Sequence, residues 1–221
     1  MKFKKAVKLL TRAAKELYTR NTTTQYHNWQ HAKQVRKHAL KLLKTEDKNE
    51  KLTLELAAIW HDAYYVVGNG IGENEKATSA LLGGAWMELT NGESPLMFLN
   101  QDAAVMAARN LIEWTSIDTH LTDTAVGYEP LACLLDADLR SLAFTSYAKF
   151  EAYQHKIIKE VGADPYNVEH KLKSAEFLQK FLQCREFIYH THAARAKWEA
   201  KARRNILAYL ADARDAAIKA A

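Results

Sequence analysis

The sequence predicts an all-α fold, and three observations carry that prediction. Apolar residues recur at helical spacing through several long segments, with polar residues between them. Breakers are sparse: 8 glycines and 3 prolines interrupt 221 residues. No two alternating segments separated by a turn signal offer a strand pair.

The helices follow in order along the chain. Segment 3–19 sets Leu9, Leu10, Ala13, Ala14 and Leu17 on one face, as in an amphipathic first helix. Its basic start lacks the long apolar stretch and small-residue cleavage site of a secretory signal. Segment 28–44 places Ala32, Val35, Ala39 and Leu42 at helical spacing, and segment 52–63 does so with Leu52, Leu56, Ile59, Trp60 and Ala63. Gly68-Asn69-Gly70-Ile71-Gly72 then reads as a flexible loop. Asn91-Gly92-Glu93-Ser94-Pro95 ends one helix and starts another, with Ser94 as a cap and Pro95 in the first turn. Glu129-Pro130 opens the helix that carries Asp136 and Asp138, and Asp164-Pro165 repeats the signal. Segment 174–190 presents Leu178, Phe181, Leu182, Arg185 and Ile188, and segment 195–218 is rich in strong helix formers. With no long linker and no internal repeat, residues 1–221 read as a single helical domain.

Composition narrows the function classes. At 48% hydrophobic residues the chain can build a sizeable core, yet no apolar run approaches the length of a membrane span. The net charge of +5 is mild and spread along the chain, which fits a solvated helical surface. A basic rim attracting a phosphorylated small molecule is the second reading. No nucleic-acid recognition motif is present, and acidic residues are interleaved throughout. Cys133 and Cys184 lie in apolar helical segments and read as small core residues of a cytoplasmic, reducing compartment. The absence of any Cys-x-x-Cys pair argues against a cysteine-based zinc site.

The chemistry-bearing pattern is His61-Asp62, preceded by Tyr26-His27-Asn28-Trp29-Gln30-His31 and followed by Leu134-Leu135-Asp136-Ala137-Asp138-Leu139. Imidazole and carboxylate side by side can bind or bridge divalent cations. A lone inward histidine is more often a hydrogen-bonded core residue, so His31 gains weight from the company of His61, Asp62 and Asp138. On a helix, His27 and His31 would share a face; His27 by itself reads equally as a helix-start residue, a substrate contact or a partner of a ligand. Asp62 ends an apolar helix, where the dipole disfavours a carboxylate, and a cation would relieve that conflict. Asp136 and Asp138 are about 200° apart on a helix, so one of the two is expected to reach a metal. The other would cap, orient a ligand or pair with Arg140. His120 is either an additional ligand or a loop histidine on the surface. Glu73 and Glu75 can position a water or a substrate, or serve as ordinary first-turn acidic residues. The remaining histidines, His38, His155, His170, His190 and His192, read as surface or packing residues, and Trp29, Trp60 and Trp198 as core.

On these residues the chain resembles the HD-domain superfamily of metal-dependent phosphohydrolases, in particular a branch with a Tyr-His-x-x-x-His start. The matching stretches are Tyr26-His27 to His31-Ala32, Ile59 to Tyr65, Glu73-Asn74-Glu75 with Ser79-Ala80, Leu135 to Leu139, and Phe187-Ile188-Tyr189 with Ala202 to Asn205. The resemblance implies an all-helical HD fold with His31, His61, Asp62 and Asp138 as the metal ligands. Two departures stand out. Thr24 occupies the position, two before the tyrosine, where that branch carries an arginine, and the loop 68–72 is longer and richer in glycine.

Such donors suit Mn, Fe, Co, Ni, Zn or Mg as a divalent cation. The reading that follows is metal-assisted hydrolysis of a phosphate ester or anhydride, with water activated near neutral pH. Asp62, Glu75 and His27 are the candidate catalytic groups, and Tyr26, Arg140 and Arg203 the candidate substrate contacts. A nucleotide is the substrate the resemblance implies. A homodimer fits a helical hydrolase of this kind, although no residue pattern specifies one. Two alternatives are a di-iron oxygenase, for which His120 would be a further ligand, and a non-catalytic module that binds a nucleotide or a partner.

Overall fold

The computed structural model describes residues 3–90, 99–123, 125 and 127–220. The observed architecture is all-α and shows no strand among these residues. The helices are α1 (Phe3–Arg20), α2 (Trp29–Leu42), α3 (Lys48–Trp60), α4 (Glu73–Thr90), α5 (Leu99–Glu113), α6 (Ile117–His120), α7 (Glu129–Asp138), α8 (Tyr147–Glu160), α9 (Val168–Gln183), α10 (His192–Ala194) and α11 (Ala200–Ala220). A 3-10 turn, Leu139–Ala143, continues α7, and a π turn, Arg195–Glu199, joins α10 to α11. The expected cap at Ser94 and Pro95 lies outside the described residues.

Two helices form the centre. Residues Leu52 to Leu54 and Leu56 to Trp60 of α3 are buried, as are Pro130 to Ala137 of α7. A helical stretch buried on every face has to be surrounded. Helices α1, α2, α4, α5 and α7 pack on α3, and α2 also lies along α7. Helix α11 packs on α9, on α8 and on the turn after α7, which forms the second side of the molecule. One buried cluster runs from Ala6 to Ala213 and joins both sides.

The expected stripe of α2 is the observed one: Ala32, Val35, Ala39 and Leu42 are its buried residues. In α1 the buried line is Ala6, Leu10, Ala14 and Tyr18, with Ala13 and Leu17 partly buried beside it. Trp60 and Trp198 are buried, and Trp29 packs on the core from its edge.

Several boundaries differ from the expected ones. Helix α3 begins at Lys48, because the Asp47 carboxylate accepts the Asn49 N–H at 2.7 Å. It ends at Trp60, so His61 and Asp62 stand in the turn beyond it. Asn28 caps α2 by accepting the N–H groups of Gln30 and His31. His27 therefore precedes the helix and does not share its face with His31. Asn167 caps α9, not the Asp164-Pro165 pair, and α9 ends at Gln183. Arg185 and Ile188 consequently lie in an irregular segment. Cys133 is buried, but Cys184 at the end of α9 is exposed, contrary to its expected core placement. The glycine loop is tied down: the Asn74 side chain accepts Val66 N–H at 3.0 Å and donates to the Val66 carbonyl at 3.1 Å. Gly68 and Gly72 take positive φ in its turns, at 88° and 79°.

The cap at Asn28 fixes where α2 begins and hence where His31 stands. Asn28→Ala is expected to cost about 1 kcal/mol, measurable as a lower urea midpoint with an unchanged m-value.

Candidate metal centre

Three elements end or begin at one place. His31 comes from the first turn of α2, His61 and Asp62 from the turn after α3, and Asp138 from the last residue of α7. One donor atom from each lies within 4.8 Å of all the others. His31 Nε2 is 2.9 Å from Asp138 Oδ1, 3.2 Å from His61 Nε2 and 3.4 Å from Asp62 Oδ2. His61 Nε2 is 2.8 Å from Asp62 Oδ2 and 3.6 Å from Asp138 Oδ1. Donors about 2.0–2.2 Å from one ion, in a tetrahedral or octahedral shell, are neighbours at roughly 3.0–3.5 Å. The spacing fits a single divalent cation between the four groups.

Hydrogen bonding around the cluster prepares the donors. His61 Nδ1 is 3.1 Å from the Ala58 carbonyl, which can only accept, so Nδ1 carries the hydrogen. Nε2 of the neutral ring is then a lone pair aimed at two carboxylate oxygens and at His31 Nε2. Either a proton or a cation has to stand between them. Without metal the proton does so. Burial opposes the charged form of His61, but the carboxylates of Asp62 and Asp138 outweigh it and raise its pKa well above 6.5. His31 is raised by the same carboxylates against the same burial. Burial alone would raise Asp62 and Asp138 too, yet the imidazoles hold both carboxyls well below the ordinary range.

Asp136 faces elsewhere. It is fully buried, and its carboxylate accepts the N–H groups of His190 at 2.6 Å and Thr191 at 2.8 Å. Burial pushes its pKa up to about 6 in spite of those bonds. The two aspartates of α7 thus divide as the helical angle requires.

The cluster opens on a cavity of about 560 Å³ lined by Tyr26, His27, Asp62, Glu75, His120 and Asp138, among others. His120 is not a surface loop residue: it is buried in α6, and its Nε2 lies 3.2 Å from Asp138 Oδ2. Its Nδ1 has no hydrogen-bond partner among the described residues. Glu75, in the first turn of α4, has its pKa raised first by burial and further by Asp62. The His27 ring stacks on Tyr65 at 3.7 Å between centroids and donates through Nδ1 to Glu160. Glu160 also accepts the N–H groups of Tyr26 and His27, at 2.6 and 3.1 Å. Tyr26 packs between His31 and Tyr153, with its hydroxyl 3.5 Å from His31 Nε2.

The two arginines are placed differently from expectation. Arg203 does not reach the cavity: it pairs with Glu199 at 2.7 Å and donates to the Glu186 carbonyl. Glu199 in turn accepts the N–H groups of Ile188 and Tyr189, so Arg203 supports a structural knot. Arg140 lies over the Trp198 ring and lines a separate cavity of about 420 Å³ that also touches His31 and Asp138. It makes no ion pair with Asp136, which leaves Arg140 adjacent to the centre and Arg203 remote from it. Sequence reasoning missed Glu160 and Gln154. Glu160 ends α8 with nothing in its neighbourhood to mark it, and the buried Nε2 of Gln154 in the cavity wall finds no partner among the described residues. His170, expected at the surface or in packing, also lines the cavity.

No family model, curated protein or solved structure matches the chain.

Protons and metal compete for the same lone pairs, which fixes a pH dependence. A His61 pKa raised in the folded state adds stability that is complete below about pH 6.5 and is lost as pH rises through the raised value. Metal-free protein is expected to lose thermal stability over that rise, while zinc-saturated protein gains relative to it, because its rings bind as neutral ligands. Scanning calorimetry from about pH 6 to about pH 9, with and without zinc, checks this. Parallel curves would remove the cluster as a metal site.

Proposed function

We propose that the protein is a metal-dependent phosphohydrolase acting on a phosphate ester or anhydride. The observation that carries this reading is the four-donor cluster standing at the wall of a cavity that also holds Glu75 and the His27–Glu160 pair. A divalent cation held by His31, His61, Asp62 and Asp138 would supply Lewis-acid activation of water and charge neutralisation.

The chain's own groups divide the remaining work. Glu75, half-buried with a raised pKa, is suited to take a proton from the attacking water. The new bond forms between water oxygen and phosphorus as the phosphorus–oxygen bond to the leaving group breaks. Glu160 holds the hydrogen of His27 on Nδ1 and so leaves Nε2 as the exchanging nitrogen. His27 is thereby suited to protonate the leaving oxygen. Tyr26 buttresses His31 and borders the same space.

A phosphate-release screen with added Mn, Fe, Co, Ni, Zn or Mg tests the proposal, over alkyl and aryl phosphates and nucleoside mono-, di- and triphosphates. Wild type is expected to release phosphate and His61→Ala/Asp62→Ala is not. Glu75→Gln is expected to keep its metal and lose about 10²-fold or more in kcat. Silence over every ester, anhydride and metal, with metal bound, would sink the reading.

One observation favours a second reading, a di-iron oxygenase. Asp138 turns Oδ1 to His31 and Oδ2 to His120, as a carboxylate shared by two ions would. Iron-reconstituted protein would then hold two irons per chain and consume oxygen, and His120→Ala would hold one. A single ion per chain, unaffected by His120→Ala, would dismiss it.

A further inference from the structure

The cavity that meets the metal cluster is two-sided. Asp62, Asp138, Glu75, His27 and His120 gather at the cluster, while Gln154 on α8 and His170, Lys173 and Ser174 on α9 are polar members of the other side. A large part of the remaining wall is hydrocarbon, supplied by Leu142 in the turn after α7, Ile157 and Ile158 on α8, and Phe177, Leu178 and Phe181 on α9. Leu142, Ile158, Leu178 and Phe181 belong to the buried residues of the fold, so this wall is a built surface continuous with the core.

Cationic side chains are scarce along it. Lys173 is the sole Lys or Arg among the described lining residues, its side chain is 67% exposed, and it is paired with Glu169 at 2.7 Å. Of the two buried lining nitrogens left unpaired among the described residues, His120 Nδ1 stands at the cluster and Gln154 Nε2, a neutral donor, on the α8 side. A nucleoside di- or triphosphate laid here would set further phosphates against leucine and phenylalanine, with the exposed and already paired Lys173 as the one lysine or arginine among the described lining residues to offset their charge. One phosphoryl group at the cluster and an apolar remainder along α8 and α9 would leave no charge uncompensated. The volume, about 560 Å³, is ample for such a molecule.

We infer that the substrate is a phosphate monoester of an apolar alcohol, its phosphoryl group at the metal cluster and its hydrocarbon part against Leu142, Ile158, Phe177, Leu178 and Phe181. This rests on the phosphohydrolase reading for its headgroup and on the cavity wall for its tail. Hydrolysis would form the bond from water oxygen to phosphorus, break the bond to the alcohol oxygen, and return one proton to that oxygen, giving the alcohol and inorganic phosphate.

The test separates tail from headgroup. Metal-loaded full-length protein is titrated calorimetrically with non-hydrolysable n-alkyl phosphonates from ethyl to octyl, and with AMP and ATP. The corresponding n-alkyl phosphates are assayed for turnover in parallel. Affinity is expected to tighten about threefold to fourfold per added methylene, with octyl phosphonate bound more tightly than either nucleotide. Phe177 is 42% exposed, so Phe177→Glu can be made without opening the core, and it is expected to flatten the chain-length series. A flat series in wild type, or tighter binding of AMP or ATP, overturns the inference even if nucleotides are hydrolysed, in which case the phosphohydrolase reading stands alone. A graded phosphonate series without turnover of any ester keeps the apolar chamber and removes the phosphohydrolase instead.

Discussion

Two imidazole lone pairs and two carboxylates facing one another are the constraint on which this structure turns. Acceptor atoms at 2.8–3.6 Å repel unless something positive stands between them. They are held there because the C-terminal half of α3 and nearly all of α7 are buried and cannot rotate away. The two central helices, with long runs of buried residues, therefore present the candidate metal cluster at or just beyond their C-terminal ends. That end of a helix disfavours a carboxylate, and both Asp62 and Asp138 stand at such ends. The penalty is offset by whatever positive charge the cluster holds, protons on the histidines or a divalent cation.

A second theme is the use of buried or half-buried carboxylates to hold irregular backbone. Glu160 accepts the N–H groups of residues 26 and 27, Asp136 those of 190 and 191, and Glu199 those of 188 and 189. Each satisfies donors that no helix can satisfy, through charge-assisted bonds stronger than neutral ones. Two of these segments bear on the site. Glu160 places His27 and Tyr26 at the mouth of the cluster, and Asp136 anchors the chain that packs behind α7. The burial of Asp136 raises its pKa while the imidazoles lower that of Asp138, two residues away. Neighbouring aspartates on one helix thus meet opposite environments, and the helical angle between them is the cause.

On the proposed phosphohydrolase reading, the cavity joins these themes to substrate selection. Its polar end is built from helix ends and the turns after them, where backbone geometry aims side chains at one point. Its apolar side is built from the apolar residues of α8 and α9 that line the cavity, with Phe177 the most open of them. The contrast between the two ends favours a molecule with one anionic group and a hydrocarbon body.

Much of this was legible in the residues. The helical repeats determined the all-α class, the buried face of α2 and the order of the main helices. The spacing of Asp136 and Asp138 required the two to part. Polar residues in apolar runs marked the candidate groups around His31, His61, Asp62 and the α7 aspartates, and the family resemblance picked His31, His61, Asp62 and Asp138 among them. Tertiary structure alone decided the rest. Glu160 meets His27 across 133 positions of chain, and no local pattern encodes that pairing. His120 turned inward because α6 packs beside Asp138, while Arg203 was taken by Glu199 one helical turn away. The apolar wall of the cavity could not be told in advance from ordinary core, since both use the same residues at the same period. Periodicity reports which face of a helix leaves water, and only packing decides whether that face meets another helix or an open chamber.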